Sequence, residues 1–202
     1  MNNEDFLCYL VEQVDVIKDV GGEIMGTSTK KIEKTGRSCA EFFINDNPLL
    51  DCSINADEKG IIWDGFIEVY KKENLSIEDF QGRVPIQLKS HRVAHLNNEE
   101  SKYSFRKKYL EKYLEDGGIL LINVEYTNQS NFNFFCKSLL PVDLKGILNE
   151  MESKKSKSIK LVKLKNSKEL EIICRNFLLH RPLQQQISSL NQKFENLSEI
   201  II

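Results

Sequence analysis

The sequence has no excess of charge of one sign: 30 acidic residues stand against 28 Lys and Arg residues, and the formal net charge is −2. A protein of this composition does not attract a polyanion through its overall charge, so a nucleic-acid partner requires basic residues to be concentrated locally. The near balance of charge therefore leaves the partner class to be decided by motifs.

The sequence also lacks a paired cysteine motif, a leader and a long apolar run. Its cysteines are odd in number and scattered, with no C-x-x-C pair: Cys8, Cys39, Cys52, Cys136 and Cys174. This pattern predicts reduced thiols in a cytoplasmic protein and not a disulfide framework or a zinc site. No apolar stretch approaches the roughly 18 residues of a membrane span, so neither secretion nor membrane insertion is expected.

What is present is the apolar pattern of one medium-sized domain, with 41% hydrophobic residues among 202. An amphipathic helix at residues 5–20, which stops at Gly21-Gly22, opens the chain, and the order of elements is helix, strands, helix, buried strand, strand and helix. This order predicts an α/β fold with a mixed central sheet flanked by helices. We place that domain at residues 1–150, followed at 151–202 by a lysine-rich connector and a C-terminal amphipathic helix.

Two segments carry the clearest strand signals. In "VPIQLKSH", residues 84–91, apolar and polar residues alternate, whereas "ILLINVEY", residues 119–126, is apolar on both faces and is typical of a buried strand. Pro85 favours an edge or the start of its strand. Upstream, Ser38 and Glu41 have the spacing of a capping box.

The C-terminal region contains a lysine run and an apolar seam. The run includes Lys154, Lys155 and Lys157, and it is typical of a solvated linker or an edge strand, with a phosphate-contacting strip as the alternative. The seam repeats every three or four residues at Leu183, Ile187, Leu190, Phe194, Leu197 and Ile201. Such an a/d pattern fits a helix that packs on its own domain or one that pairs with a second copy.

Candidate site residues occur in two strand-like stretches. Asp64 lies in "IIWDGFIEVY", where an Asp-Gly pair is also the usual signal of a tight hairpin turn. Gln87, Lys89 and His91 alternate along the second stretch, so their side chains share one face of a strand. An exposed strand edge is the ordinary alternative for this polar row, and a structural role is the alternative for His91.

These stretches resemble the PD-(D/E)xK nuclease superfamily, and more narrowly a bacterial branch found in restriction and anti-phage proteins. In that branch W-D-G is followed by a strand ending in Q-x-K, a helix, a Gly-Gly pair and an apolar strand. The matching stretches, within about residues 30–180, are "WDGFIEVY", "GRVPIQLKS", "YLEKYLEDGGILLINVEY" and "FFCKSLLPVDLKGIL".

The resemblance implies a restriction-endonuclease-like fold and the hydrolysis of phosphodiester bonds in DNA or RNA with Mg²⁺ or Mn²⁺. It implies that Asp64 and Gln87 hold the metal and that Lys89 orients the attacking water. A helix before them often supplies another carboxylate, for which Glu41 is the first candidate and Glu33 the second. His91, Lys154, Lys155 and Lys157 are the candidate contacts to nucleic acid.

One position departs from the pattern: the superfamily's Glu is Gln87 in this sequence. An amide oxygen can still bind Mg²⁺ but brings no negative charge, so metal affinity is expected to be lower. Glu68 cannot readily compensate, because four residues of extended strand separate it from Asp64 by about 13 Å. A nuclease-like domain without catalysis, serving as a nucleic-acid-binding or assembly module, is therefore the alternative. A small-molecule sensor is a weaker third reading that no motif supports.

Overall fold

We analysed a computed structural model that describes residues 29–55, 62–96 and 99–200, with side chains described as far as residue 186. The amphipathic segment predicted at residues 5–20 lies outside this range. The helices are α1 Thr29–Asn45, α2 Lys107–Glu115, α3 Pro141–Met151 and α4 Ser167–Ile200, with a 3-10 turn at Ile77–Asp79. The strands are β1 Leu50–Ile54, β2 Gly65–Tyr70, β3 Phe80–Arg92, β4 Glu100–Arg106, β5 Ile119–Asn128, β6 Asn131–Leu139 and β7 Ser156–Lys163.

The described strands form one seven-stranded sheet in the order β1-β2-β3-β5-β6-β7-β4. Strands β3 and β5 are parallel, and the other neighbouring pairs are antiparallel. The chain must cross over between the parallel strands β3 and β5, and β4 and α2 form this connection. The predicted α/β class and mixed sheet are confirmed.

Each face of the sheet carries its own apolar cluster. On the first face, Ile67, Ile86 and Ile122 pack beneath α1 and α4. On the second face, Leu121 and Phe135 pack beneath α2 and α3. The two clusters explain why β5 is apolar on both faces: its residues 119–126 are all buried between the two helical layers.

Strand β3 lies inside the sheet, between β2 and β5, so the expectation of an edge position for Pro85 is wrong. The parallel register with β5 starts only at Ile86, which pairs with Leu120. The missing N–H of Pro85 therefore lies outside that ladder. Of the apolar residues expected on one face, Val84 and Ile86 are fully buried in the cluster of the first face and Leu88 packs against it, but Pro85 is buried as well.

The capping box expected at Ser38 and Glu41 is also wrong, because both residues lie well inside α1. The Ser38 hydroxyl instead donates to the carbonyl of Lys34, one turn earlier, at 3.2 Å. Helix α1 approaches β3 so closely at Gly36 that a Cβ there would overlap Ser90.

The middle of the lysine run forms β7, which pairs with β4 and β6. Helix α4 then packs on the first face through Leu170, Cys174 and Phe177. Residues after the boundary predicted at 150 thus belong to the same sheet and core. Most of the apolar seam predicted at 183–201 lies beyond the described side chains. Leu183, the first residue of the seam, has a described side chain and is exposed on α4. Leu179, one turn earlier in α4, is exposed as well.

Two further observations concern the cysteines and the apolar content of the helices. The four cysteines in the described range are free thiols. Across the same range, none of the helices is at once long and apolar enough to cross a membrane.

Candidate functional site

The polar face of β3 meets the residue that opens β2. Asp64 directly precedes β2, and its backbone is held on both sides: its N–H donates to the Ile86 carbonyl at 2.9 Å, and its carbonyl accepts from Asn55 at 2.8 Å. The neighbouring Trp63 packs edge-on against Phe66, with ring centroids 5.7 Å apart. These contacts fix the direction in which the Asp64 carboxylate leaves the backbone.

The Asp64 carboxylate contacts the neighbouring strand directly. Its Oδ2 atom accepts a hydrogen bond from the Gln87 side-chain amide and a second, at 2.8 Å, from the Leu88 backbone N–H. The Gln87 amide oxygen in turn accepts from the hydroxyl of Tyr113, on α2, at 2.9 Å. Two strands and one helix therefore converge on Gln87, and both ends of its amide are engaged.

Tyr113 is a protonated donor in this arrangement. Its side chain is buried, and burial, reinforced by the negative charge of Asp64, raises the pKa of its phenol far above the ordinary value. A neutral hydroxyl can donate or accept a hydrogen bond, so Tyr113 can satisfy either end of the Gln87 amide.

Lys89 and His91 continue the row on the same face and lie next to Tyr103 of β4. The Lys89 ammonium is 5.8 Å from the centre of the Tyr103 ring, and the His91 ring stacks on it with centroids 6.3 Å apart. Because β4 is the last strand in the sheet order, these contacts show that the sheet curls until its far edge covers β3. The row is therefore partly enclosed and not an exposed strand edge.

The pKa of the His91 imidazole is lower than its ordinary value. Burial is the largest influence and lowers the pKa of its imidazole, the positive charge of Lys89 lowers it further, and the carboxylate of Glu125 opposes both. A neutral imidazole offers a phosphate a hydrogen bond but no ionic attraction.

Three buried polar residues beside this row were missed by the sequence analysis. Asn123 and Glu125 lie on β5 in register with Lys89 and His91. Ser101, on β4, accepts from the Asn123 amide at 2.7 Å and donates to the Glu125 carboxylate at 3.1 Å. The signal was available: two polar residues of the same parity interrupt an otherwise apolar strand.

Asn123 retains an unused acceptor. Its side chain is 1% exposed, and its Oδ1 atom has no hydrogen-bond partner among the described residues. Its amide nitrogen is oriented by Ser101, so the oxygen cannot turn away without losing that bond. A buried acceptor of this kind is costly unless a donor reaches it, for instance a bound water or a ligand.

The carboxylates expected to complete a metal site lie elsewhere. Glu41 forms an ion pair with Arg37 on α1 at 3.9 Å, and its charge acts on the Cys52 thiol, whose pKa is raised chiefly by burial. Glu33 is exposed on α1. Glu68 accepts hydrogen bonds from Tyr70 and Arg83, both at 2.7 Å.

The residues fit a divalent metal only after one rearrangement. Within the described part of the chain, no three His, Cys, Asp or Glu side chains are grouped to hold an ion. Gln87 presents its NH₂ group, not its oxygen, to Asp64. If the amide turned over, both side chains would present oxygen, and Tyr113 would accept where it now donates. Mg²⁺ accepts such a sparse ligand set because it retains several waters.

The candidate contacts to nucleic acid divide into two groups. Lys154 and Lys155 line a cleft between the start of α2 and the turn from α3 to β7. Lys157 forms an ion pair with Glu150. His91 lies in the covered row and is separate from this basic surface.

No family model matches the chain, and no curated protein matches it at a significant level. The interpretation of the site therefore depends on its residues and their geometry.

Proposed function

We propose that the chain is a metal-dependent nuclease that hydrolyses phosphodiester bonds of DNA or RNA, acting in the cytoplasm in phage defence. The observation that carries this proposal is the hydrogen bond between Asp64 and Gln87, with Lys89 two residues along the same strand face. These are the three residues on which the resemblance to the PD-(D/E)xK superfamily depends. The defence role rests on the resemblance alone.

The surrounding fold supports a restriction-endonuclease-like arrangement. An Asp directly before one strand and the Q-x-K segment of its neighbour stand side by side, and strand β4, a helix, a Gly-Gly pair and the apolar strand β5 follow. Apart from β4, this is the order of elements in the branch that the sequence resembles.

The chain's own side chains have separate roles in the proposed reaction. A divalent ion at Asp64 and Gln87 would neutralise charge on the scissile phosphate and lower the pKa of water. Lys89 orients that water and stabilises the negative charge that develops on the phosphate oxygens. Tyr103 covers Lys89 and reduces its contact with solvent, which strengthens its electrostatic interaction.

A second candidate, a nuclease-like module without catalysis, is favoured by the orientation of Gln87. Its amide NH₂ group donates a hydrogen bond to the Asp64 carboxylate, so this carboxylate has a partner without a bound ion. In this case the domain binds nucleic acid or assembles with other parts of a defence protein.

Cleavage assays separate the two candidates. Supercoiled plasmid, single-stranded DNA and RNA would be incubated with the purified chain in Mg²⁺, Mn²⁺ or EDTA. We expect cleavage that requires a divalent ion and falls about 10²–10³-fold in Lys89→Met, which keeps the side-chain volume but removes the charge.

The matched control is Lys160→Met, which removes an ammonium that pairs with Glu100 on the surface, away from the row. Its rate should equal that of the wild type. Wild-type protein that leaves all three substrates intact in both metals would exclude the nuclease and favour the binding module.

A further inference from the structure

A basic cleft lies at one end of α2, away from Asp64 and from the polar row formed by Gln87, Lys89 and His91. It has a volume of about 440 Å³ and is lined by Arg106, Lys107, Lys108, Glu111, Glu152, Ser153, Lys154 and Lys155. Five of these residues are cationic and two are acidic, although the chain as a whole has a net charge of −2. The positive charge that a nucleic-acid partner requires is thus concentrated in a concave surface.

The walls of the cleft are held together by backbone contacts. The Lys107 N–H donates to the Lys155 carbonyl at 2.8 Å, and the Lys107 ammonium donates to the Glu152 carbonyl at 3.3 Å. Lys154 is fixed by its own N–H, which donates to the Met151 carbonyl at 2.6 Å. The cations are therefore brought together before any ligand binds, which reduces the entropic cost of binding.

The cleft carries more positive than negative charge, since five cations line it together with two carboxylates. The first turn of α2 contains no acidic residue and begins with Lys107 and Lys108. The partial positive charge at a helix start normally favours acidic residues there, so two lysines at this place repel it. Lys154 and Lys155 approach from the opposite wall and add to the repulsion. A bound polyanion relieves it.

The same two elements connect the cleft to the polar row. Strand β4 carries Tyr103 over Lys89 and ends at Arg106, and α2 begins at Lys107 and carries Tyr113 to Gln87. From Lys107 to Tyr113 the helix rises about 9 Å. Since successive phosphates of one strand are about 3.4 Å apart along a duplex axis, this rise spans roughly three nucleotides.

We propose that this cleft binds the phosphodiester backbone of a nucleic-acid substrate, roughly three nucleotides from the scissile phosphate. The inference rests on the proposed function for the identity of the substrate. Lys154 and Lys155 then act together with Arg106, Lys107 and Lys108, which the sequence analysis did not single out. The contacts are to phosphate, so they hold the strand without reading its sequence.

Binding is tested in EDTA, where no cleavage occurs, by fluorescence anisotropy of fluorescein-labelled 20-mers of single-stranded DNA, RNA and duplex DNA over a salt series. The variant is Lys108→Gln/Lys154→Gln/Lys155→Gln, which retains Lys107 and its structural bond. We expect at least a tenfold loss of affinity at low salt. The salt slope should become shallower by roughly 0.7–0.9 for each phosphate contact removed.

The matched control is Lys30→Gln/Lys71→Gln/Lys165→Gln, three exposed lysines that do not line the cleft. An equal loss of affinity in the control would overturn the proposal, as would an unchanged salt slope in the cleft variant. Displacement of the labelled strand by polyglutamate as readily as by unlabelled DNA would point to an acidic protein instead. Thermal melts of both variants verify the fold.

The outcome is independent of catalysis. Weakened binding in the cleft variant, with no cleavage by the wild type, supports the cleft and removes the nuclease. Metal-dependent cleavage by the wild type, together with unchanged binding in the cleft variant, supports the nuclease and removes the cleft.

Discussion

At the scale of single residues, Gln87 decides whether the site holds a metal. Its NH₂ group donates to Asp64, and its oxygen accepts from Tyr113. Replacement by Glu removes the donor and places two carboxylates in contact, which raises the pKa of one of them or recruits a cation.

We therefore expect Gln87→Glu to be destabilised by about 1–3 kcal/mol in EDTA, because a partly buried donor–acceptor pair becomes a repulsive one. Mn²⁺ should restore the melting temperature and stabilise this variant more than the wild type, since the added carboxylate is a metal ligand. Thermal melts and calorimetric Mn²⁺ titrations measure both effects.

The control is Gln87→Met, which fills similar space without a ligand atom. It should lose stability in EDTA and gain none with Mn²⁺. If Mn²⁺ leaves the melting temperature of Gln87→Glu unchanged, this face does not bind metal.

How much of the site could be predicted depends on sequence distance. Gln87 and Lys89 are two residues apart in one strand, so their alternation places them on one face, and the motif order adds Asp64. Tyr103 and Tyr113 could not be found in this way. They reach the row only through the curl of the sheet and the crossover helix, which local patterns do not encode.

At the scale of secondary-structure elements, α4 is attached to the first face of the sheet by a buried carboxylate. Glu171 accepts hydrogen bonds from Asn47 at 3.0 Å, Lys168 at 2.6 Å and Arg175 at 2.7 Å. Arg175 also donates to the Tyr70 carbonyl at 2.8 Å. This network joins α4 to the segment after α1 and to β2.

The network makes folding stability depend on pH. Burial raises the pKa of Glu171, but the bonds from Lys168, Arg175 and Asn47 outweigh it and lower the pKa to about 2 from an ordinary 4.5. Because the folded-state pKa is depressed, the stabilisation is complete above pH 4.5 and is lost as the pH falls towards 2. The shift corresponds to about 3 kcal/mol.

Glu171→Gln should therefore unfold more easily than the wild type at pH 7, by about 3 kcal/mol, with the difference narrowing as the pH falls from 4.5 to 2. Urea titrations at several pH values provide the measurement. The exposed Glu73→Gln should follow the wild-type curve. A constant difference across that pH range would show that Glu171 contributes through packing and not through its charge.

Helices and strands were predicted well where the apolar periodicity is clear, and poorly where lysines are interspersed with the apolar residues. Strands β5 and β6 and helix α3 follow their patterns. In β7 the alternation of Ile159 and Leu161, both buried, is flanked by lysines, so the segment was interpreted chiefly as a linker or an edge strand. The stretch "YSFRKKYLEKYLEDGG", residues 103–118, has the pattern of a single helix ending at a Gly-Gly pair, whereas pairing with β7 places residues 103–106 in strand β4.

At the scale of the whole molecule, the exposed face of α4 bears on oligomeric state. Ile172, Leu179 and Leu183 are 52%, 61% and 52% exposed, and they lead towards the apolar seam predicted at 183–201. Exposed apolar residues in such a row are typical of a surface that associates with another chain. A dimer would hold two copies of the proposed site, one for each strand of a duplex.

A truncation after Gln186 tests this prediction while retaining the contacts of α4 with the domain. Those contacts include the bond from the Val142 N–H to Gln184 at 3.0 Å and the bond from Arg181 to the Asp116 carbonyl at 2.5 Å. Light scattering should give a dimer for the intact chain and a monomer for the truncated one, with similar melting temperatures. Monomers in both cases would eliminate pairing through this helix.

The class of the fold was predictable because the order of helical and strand-like segments restricts the architecture. The position of β4 was not, since its partner β7 lies roughly fifty to sixty residues later in the chain. This pairing has a consequence for synthesis on the ribosome, where the chain emerges from its N-terminus. Lys89 and His91 are made early, but Tyr103 cannot be held over them until β7 has emerged. A nascent or prematurely terminated chain therefore carries these two side chains without their cover.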